Sequence, residues 1–191
     1  MGNRFAREGI GTVVISYRLA PKHPHPAQIE DAAAAFAWAV KNIEKYGGRA
    51  DRIFVGGHSA GGHLAALLAL DPRYLAARGL SQKNIRGVVA MSGVYEIRGQ
   101  ESVFGADPAG KRWASPMTYV AKTDLPFLVT YCEWDYATLP LQARRFHEAL
   151  HTAGVPARLL YVPGENHISE MVHIVDEKDP TARAILQFIG P

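Results

Sequence analysis

The sequence holds one cysteine, Cys132, so no internal disulfide is available and nothing points to an oxidising compartment. It lacks any unbroken run of the ~18 apolar residues that a membrane-spanning helix needs. Residues Met1 to Ala6 contain no apolar stretch of the signal-peptide kind, and alanine at position 6 departs from the myristoylation pattern. A cytoplasmic protein with no membrane span is therefore expected. Runs of one charge are missing as well. The formal net charge of +3 is spread over lysines and arginines that stand singly or in pairs, with Arg144-Arg145 the nearest thing to a run. Without a basic stripe or interleaved aromatics, nucleic acid is not an expected partner. Phosphate loops are excluded in the same way. The glycine-rich stretch at residues 56–63 has no Walker lysine, and Gly9-Ile10-Gly11 lacks the third glycine of a dinucleotide fingerprint. His23 and His25 are spaced as a metal pair, but no third ligand stands near them, so no metal site is expected.

What is present is ample for one domain. The chain has 191 residues, 48% of them hydrophobic, which suffices for a large core, and residues 1–191 read as a single unit. Strand and helix patterns alternate. Residues 11–17, 85–92, 126–132 and 157–162 are apolar, β-branched runs without polar alternation, as in strands buried on both faces of a parallel sheet. Residues 27–46, 59–70, 139–153 and 180–189 have helical periodicity, and Gly47-Gly48, Asp71-Pro72 and Gly154 stop the first three. Residues 94–123 are rich in Gly and Pro, and a stretch of that length is expected to carry small helices or a binding surface. The pattern predicts an α/β fold with a mostly parallel sheet and helices on both faces.

The chain is organised around residues 56–63, GGHSAGGH, in which Gly57-His58-Ser59-Ala60-Gly61 forms a G-x-S-x-G motif. A β-prone run, Ile53-Phe54-Val55, precedes it, and strong helix formers from Leu64 to Leu70 follow. Strand, tight turn, helix is the setting of a nucleophile elbow, which lifts the serine hydroxyl above the sheet. It also aims the Ala60 N–H, at a helix N-terminus, toward a developing oxyanion. Serine needs a base to take its proton and a carboxylate to orient that base. In an open α/β sheet such groups sit just past the carboxyl ends of strands. Asp135 follows the strand at 126–132, and His167 follows the strand at 157–162. Asp135 is preferred to Glu133, two residues earlier. His167 is preferred to His173, which falls in an apolar helical segment. The order Ser59, Asp135, His167 is that of an α/β-hydrolase. His58, Gly93 and Trp134 are the candidate substrate-pocket residues.

Three stretches resemble the α/β-hydrolase superfamily, and within it the esterases related to hormone-sensitive lipase and to the arylformamidases. They are Ser16-Tyr17-Arg18-Leu19-Ala20-Pro21 with His23-Pro24 and Asp31, the elbow from Gly57 to Ala65, and the loops Glu133-Trp134-Asp135 and Gly164-Glu165-Asn166-His167. The resemblance implies that Ser59 is nucleophile, Asp135 the orienting acid and His167 the general base, with Ser115-Pro116 near the substrate pocket. Those families also carry a His-Gly-Gly motif upstream, which supplies further oxyanion donors; this sequence has none. An N-terminally shortened α/β-hydrolase sheet is thus expected, with an edge strand at 11–17 open to pairing in a homo-oligomer.

The expected activity is hydrolysis of short-chain acyl esters, a small-molecule substrate class, through an acyl-enzyme that needs no metal or organic cofactor. An arylformamidase acting on an N-formyl amide is the alternative within the same chemistry. A non-catalytic relic serving as a binding or assembly module is the alternative outside it.

Overall fold

In the computed structural model, which describes residues 2–190, four strands pair in parallel in the order β1-β2-β3-β4. They are β1 (Phe54–His58), β2 (Gly87–Met91), β3 (Phe127–Trp134) and β4 (Ala157–Asn166). Sequential strands lie side by side, so each connection crosses over through helical structure, as parallel pairing demands. β2 is buried at all five positions. Val88 and Ala90 join one core cluster, with Leu64–Leu70 of the elbow helix, Ile29, Phe36 and Phe146. Val89 and Met91 join the other, with Phe5, Ile174 and Ile185. Two covered faces explain why this strand reads as a continuous apolar run rather than an alternating one.

The helix Ala60–Leu70 is buried from Gly62 to Leu70 and lies between the sheet and the helix Ala27–Asn42. Being apolar all round, it has no face suited to water. The helix Ala27–Asn42 ends in a 3₁₀ turn, Ile43–Tyr46, closed by Gly47 at φ 77°. The helices Leu139–Thr152 and Pro180–Ile189 lie where the periodicity put them. Residues 94–123 carry two short helices, Glu101–Phe104 and Pro108–Trp113, and a 3₁₀ turn, Pro116–Tyr119. No helix among the described residues is long and apolar enough to cross a membrane.

One expected strand is not formed. Residues 11–17 make no ladder with any other strand among the described residues. Val14 is 78% exposed, and Val13 and Ile15 are exposed beside it. β-Branched residues favour a covered, pleated surface, but a pairing partner makes the strand, and none lies alongside. The segment is instead tied at its ends. The Ile10 N–H donates to the Phe5 carbonyl at 3.1 Å. The Arg18 N–H donates to Asp31 at 2.8 Å, and its guanidinium grips the same carboxylate. Among the described residues β1 is therefore an edge of the sheet, with β4 at the other. Both β3 and β4 run longer than expected. Gly164, at φ 74°, and a register shift between Cys132 and Trp134 let pairing continue to Trp134 and Asn166.

His63, on the elbow helix, is buried, and its Nε2–H donates to the Ala114 carbonyl at 2.7 Å. Burial pushes its pKa down to about 4, against the hydrogen bond to Ala114, which raises it. Between pH 6.5 and 4 the unfolded chain thus holds a proton that the folded chain refuses. The contribution of His63 to stability is complete above pH 6.5 and falls by about 3 kcal/mol as the pH drops to 4. Urea unfolding at pH 7 and at pH 4.5 is expected to show lower stability at the acid pH, with a smaller difference in His63→Gln.

Candidate active site

The elbow is built by close backbone approach. A Cβ on Gly57 would stand 2.4 Å from the Gly61 carbonyl carbon, so only glycine fits there. Ser59, between them, adopts φ 56° and ψ −115°, a conformation that costs a non-glycine residue about 1–3 kcal/mol. Its N–H donates to the Met91 carbonyl at 2.8 Å, pinning the turn to the end of β2. Ser59 is the N-cap of the helix Ala60–Leu70 without a side-chain cap, so its hydroxyl is not spent on the helix end. The Ala60 N–H, at the first helical position, has no acceptor within the helix.

Asp135 and His167 meet. His167 Nδ1 lies 2.6 Å from Asp135 Oδ1, and both side chains are nearly or wholly buried. A carboxylate only accepts, so Nδ1 carries the proton and Nε2 presents a lone pair. Two loops hold the pair. The Tyr136 N–H donates to Asp135 Oδ1 at 2.9 Å. The Asn166 side chain accepts from the Ile168 and Ser169 N–H groups at 2.9 and 3.0 Å, fixing the turn that carries His167. The imidazole lies between the Tyr136 ring, 4.3 Å from centroid to centroid, and the His58 ring, 4.4 Å away. Because His58 immediately precedes Ser59, the acid–imidazole pair sits against the elbow. Among the described residues no hydrogen bond joins the Ser59 hydroxyl to His167. Such contacts often tighten only when substrate binds.

The two alternatives have other work. Glu133 accepts the Gly164 N–H at 2.8 Å across the β3–β4 pair. His173 is exposed and pairs with Glu165 at 2.9 Å, which raises its pKa. Of the candidate pocket residues, Trp134 is exposed at the end of β3. His58 is half-buried; burial, then the neighbouring His167, push its pKa down to about 4. Gly93 is buried behind the elbow, where a Cβ on Gly62 would come within 3.1 Å of its Cα. Ser115 is buried too, and its hydroxyl is committed to the Ile97 N–H and the Lys111 carbonyl, both at 2.8 Å. The described residues hold no cluster of three His, Cys, Asp or Glu side chains suited to a metal ion.

Two neighbours of the site escaped the sequence reading. Tyr136 packs against His167 with its ring tilted by 33°, and Glu170, three residues after His167, is fully buried. Glu170 had a legible signal, since it is a lone acid between Ile168 and the apolar pair Met171-Val172.

Comparison with known proteins agrees with this architecture. A family described as having the alpha/beta hydrolase fold matches residues 3–110, which include the elbow. Esterase LipC of Mycobacterium tuberculosis is 33% identical over 211 residues, covering 98% of this chain and 52% of its own length. Esterase LipQ of the same organism is 31% identical, covering 98% and 49%. The chain thus spans about half the length of these curated relatives. Among solved structures, an esterase of Pyrobaculum calidifontis superposes with a TM-score of 0.80 at 26% identity, covering 98% of this chain and 67% of that one. With the greater part of its length matched and the elbow in place, the chain belongs to the α/β-hydrolase fold family.

Proposed function

We propose that the protein is a serine carboxylesterase that cleaves short-chain acyl esters through an acyl-enzyme. One observation carries this reading: the 2.6 Å Asp135–His167 hydrogen bond, seated beside a serine held at φ 56°. In this mechanism His167 Nε2 takes the Ser59 proton as Oγ attacks the ester carbonyl. The Ala60 N–H donates to the oxyanion of the tetrahedral intermediate. His167 then protonates the departing alcohol, and a water molecule, deprotonated by the same nitrogen, releases the acid. Asp135 keeps the imidazole in the productive tautomer throughout. Trp134, Tyr136 and Ile168, all exposed beside the acid and base loops, offer apolar surface to the substrate. His58 flanks the nucleophile, and the absence of a side chain on Gly62 lets the Gly93 backbone pack behind the elbow. The names of the relatives, all esterases, favour an ester over an N-formyl amide.

Reaction with a fluorophosphonate probe and hydrolysis of p-nitrophenyl acetate and butyrate test the assignment. Ser59→Ala is expected to abolish labelling and to lower kcat by at least about 10⁴-fold. Equal rates in both proteins would remove Ser59 from the mechanism, and an unlabelled wild type would favour a non-catalytic binding module. N-formylkynurenine, run in parallel, is expected to be the poorer substrate.

Asp135→Asn is expected to lower kcat by about 10³–10⁴-fold with little change in KM, because the amide favours the wrong imidazole tautomer. Steady-state kinetics at pH 8 reads this directly, and a loss below tenfold would assign the orienting role elsewhere.

The outer edge of β1 has no strand beside it among the described residues, and an open edge supports self-association with a second copy. Sedimentation velocity is expected to detect dimers at tens of micromolar. A monomer at all concentrations up to millimolar would count against the edge as an interface.

A further inference from the structure

Glu170 is a wholly buried carboxylate near the site, and the mechanism above gives it no task. It lies on the short helix Ser169–His173, three residues after His167, and is wholly inaccessible to solvent. Its partners come from the strand ends. Ser92 Oγ, just past β2, donates to Oε2 at 2.7 Å, and Thr130 Oγ1 on β3 donates to Oε1 at 2.6 Å. Cys132 Sγ is 3.3 Å from Oε2. Both hydroxyls reach the same carboxyl group from neighbouring strands. Among the described residues the only basic atom within 4 Å is His58 Nε2, at 3.9 Å, and that nitrogen is buried with no hydrogen-bond partner.

A closed ring results. Glu170 faces His58, His58 packs at a tilt against His167, and His167 bonds Asp135. Asp135 Oδ2 is 3.8 Å from Cys132 Sγ, which returns to Glu170. Two adjacent imidazoles, flanked by two buried acids, are thus closed into a ring by one thiol. Ser92, the donor from β2, is held at φ 44° and is also fully buried, so backbone strain is spent on aiming its hydroxyl. The other ionisable groups that act on this region are Tyr95, after β2, and Asp179, before the last helix.

We propose that Glu170 is a positioning residue for the esterase reaction: it anchors the turn bearing His167 to the ends of β2 and β3 and, through His58, adds a second negative charge behind the base. The proposal rests on the serine-esterase reading above. Its first effect is geometric. Displacing a reacting group by as little as 1 Å can cost about 100-fold in rate. Its second effect is electrostatic, since a nearby carboxylate favours the protonated imidazole that forms as Ser59 attacks.

Glu170→Gln separates these roles from mere packing, because the amide keeps the shape and removes the charge. Hydrolysis of p-nitrophenyl butyrate is measured from pH 5 to 9, with fluorophosphonate labelling of Ser59 and thermal unfolding alongside. The expected result is a folded variant with kcat at least about tenfold lower, KM within about twofold of wild type, and the acid limb of kcat/KM moved to lower pH by roughly half a unit or more. A folded variant with wild-type kcat and an unmoved acid limb would overturn the proposal. Were Glu170→Gln unable to fold, Thr130→Val, which removes one donor and keeps the volume, carries the test. A kcat at least about threefold lower at constant KM supports the role, and wild-type kcat refutes it. A wild-type protein that neither labels nor hydrolyses esters would instead refute the esterase reading itself.

Discussion

The backbone hydrogen bond from the Ser59 N–H to the Met91 carbonyl at 2.8 Å holds the Ser59 turn to the sheet. Ser59 stands in a backbone conformation that it would leave if released, and the bond closes the turn over the end of β2. The neighbouring strand end is laced in the same manner, with the Ser92 N–H on the Thr130 carbonyl at 3.0 Å. His58, Met91 and Thr130 therefore stand in one fixed row across β1, β2 and β3. The Asp135 loop leaves from β3 and the His167 turn from β4, which places Ser59, Asp135 and His167 along the carboxyl edge of a parallel sheet. The buried helix Ala60–Leu70 keeps this row rigid, because its side chains have no alternative to the core.

Much of this was legible from local chemistry. Gly57 and Ser59 announce the elbow because few turns need glycine at that spacing, and the structure shows why: a side chain at Gly57 would strike Gly61. The chain order of serine, acid and histidine, with each at a strand end, was enough to single out Asp135 and His167, and these two do meet. The segment 11–17 shows where such reading fails. Its valines and isoleucine have strand propensity, but a strand is a relation between two segments, and composition says nothing about whether the second is alongside. Glu170 was missed for a related reason. Its neighbours in space, Ser92 and Thr130, lie 78 and 40 residues away, and no local pattern joins them.

The ends of β3 and β4 show how a small irregularity serves a site. The ladder lapses at Pro163 and Gly164, yet pairing resumes two residues later, with Trp134 opposite Asn166. The Glu133 carboxylate bridges the gap by accepting the Gly164 N–H. The bulge lets both strands reach past the sheet and set the Asp135 and Asn166 turns side by side, which is how acid and base, 32 residues apart, come within a hydrogen bond.

The lone thiol has a consequence for anyone handling the protein. Cys132 is almost wholly shielded, and burial raises its pKa, so it is a poor nucleophile toward maleimides or iodoacetamide while the acid loop stays shut. With no second sulfhydryl to compete, the pace of alkylation is a natural clock for opening of the catalytic end of the sheet, readable by mass spectrometry without any label being engineered.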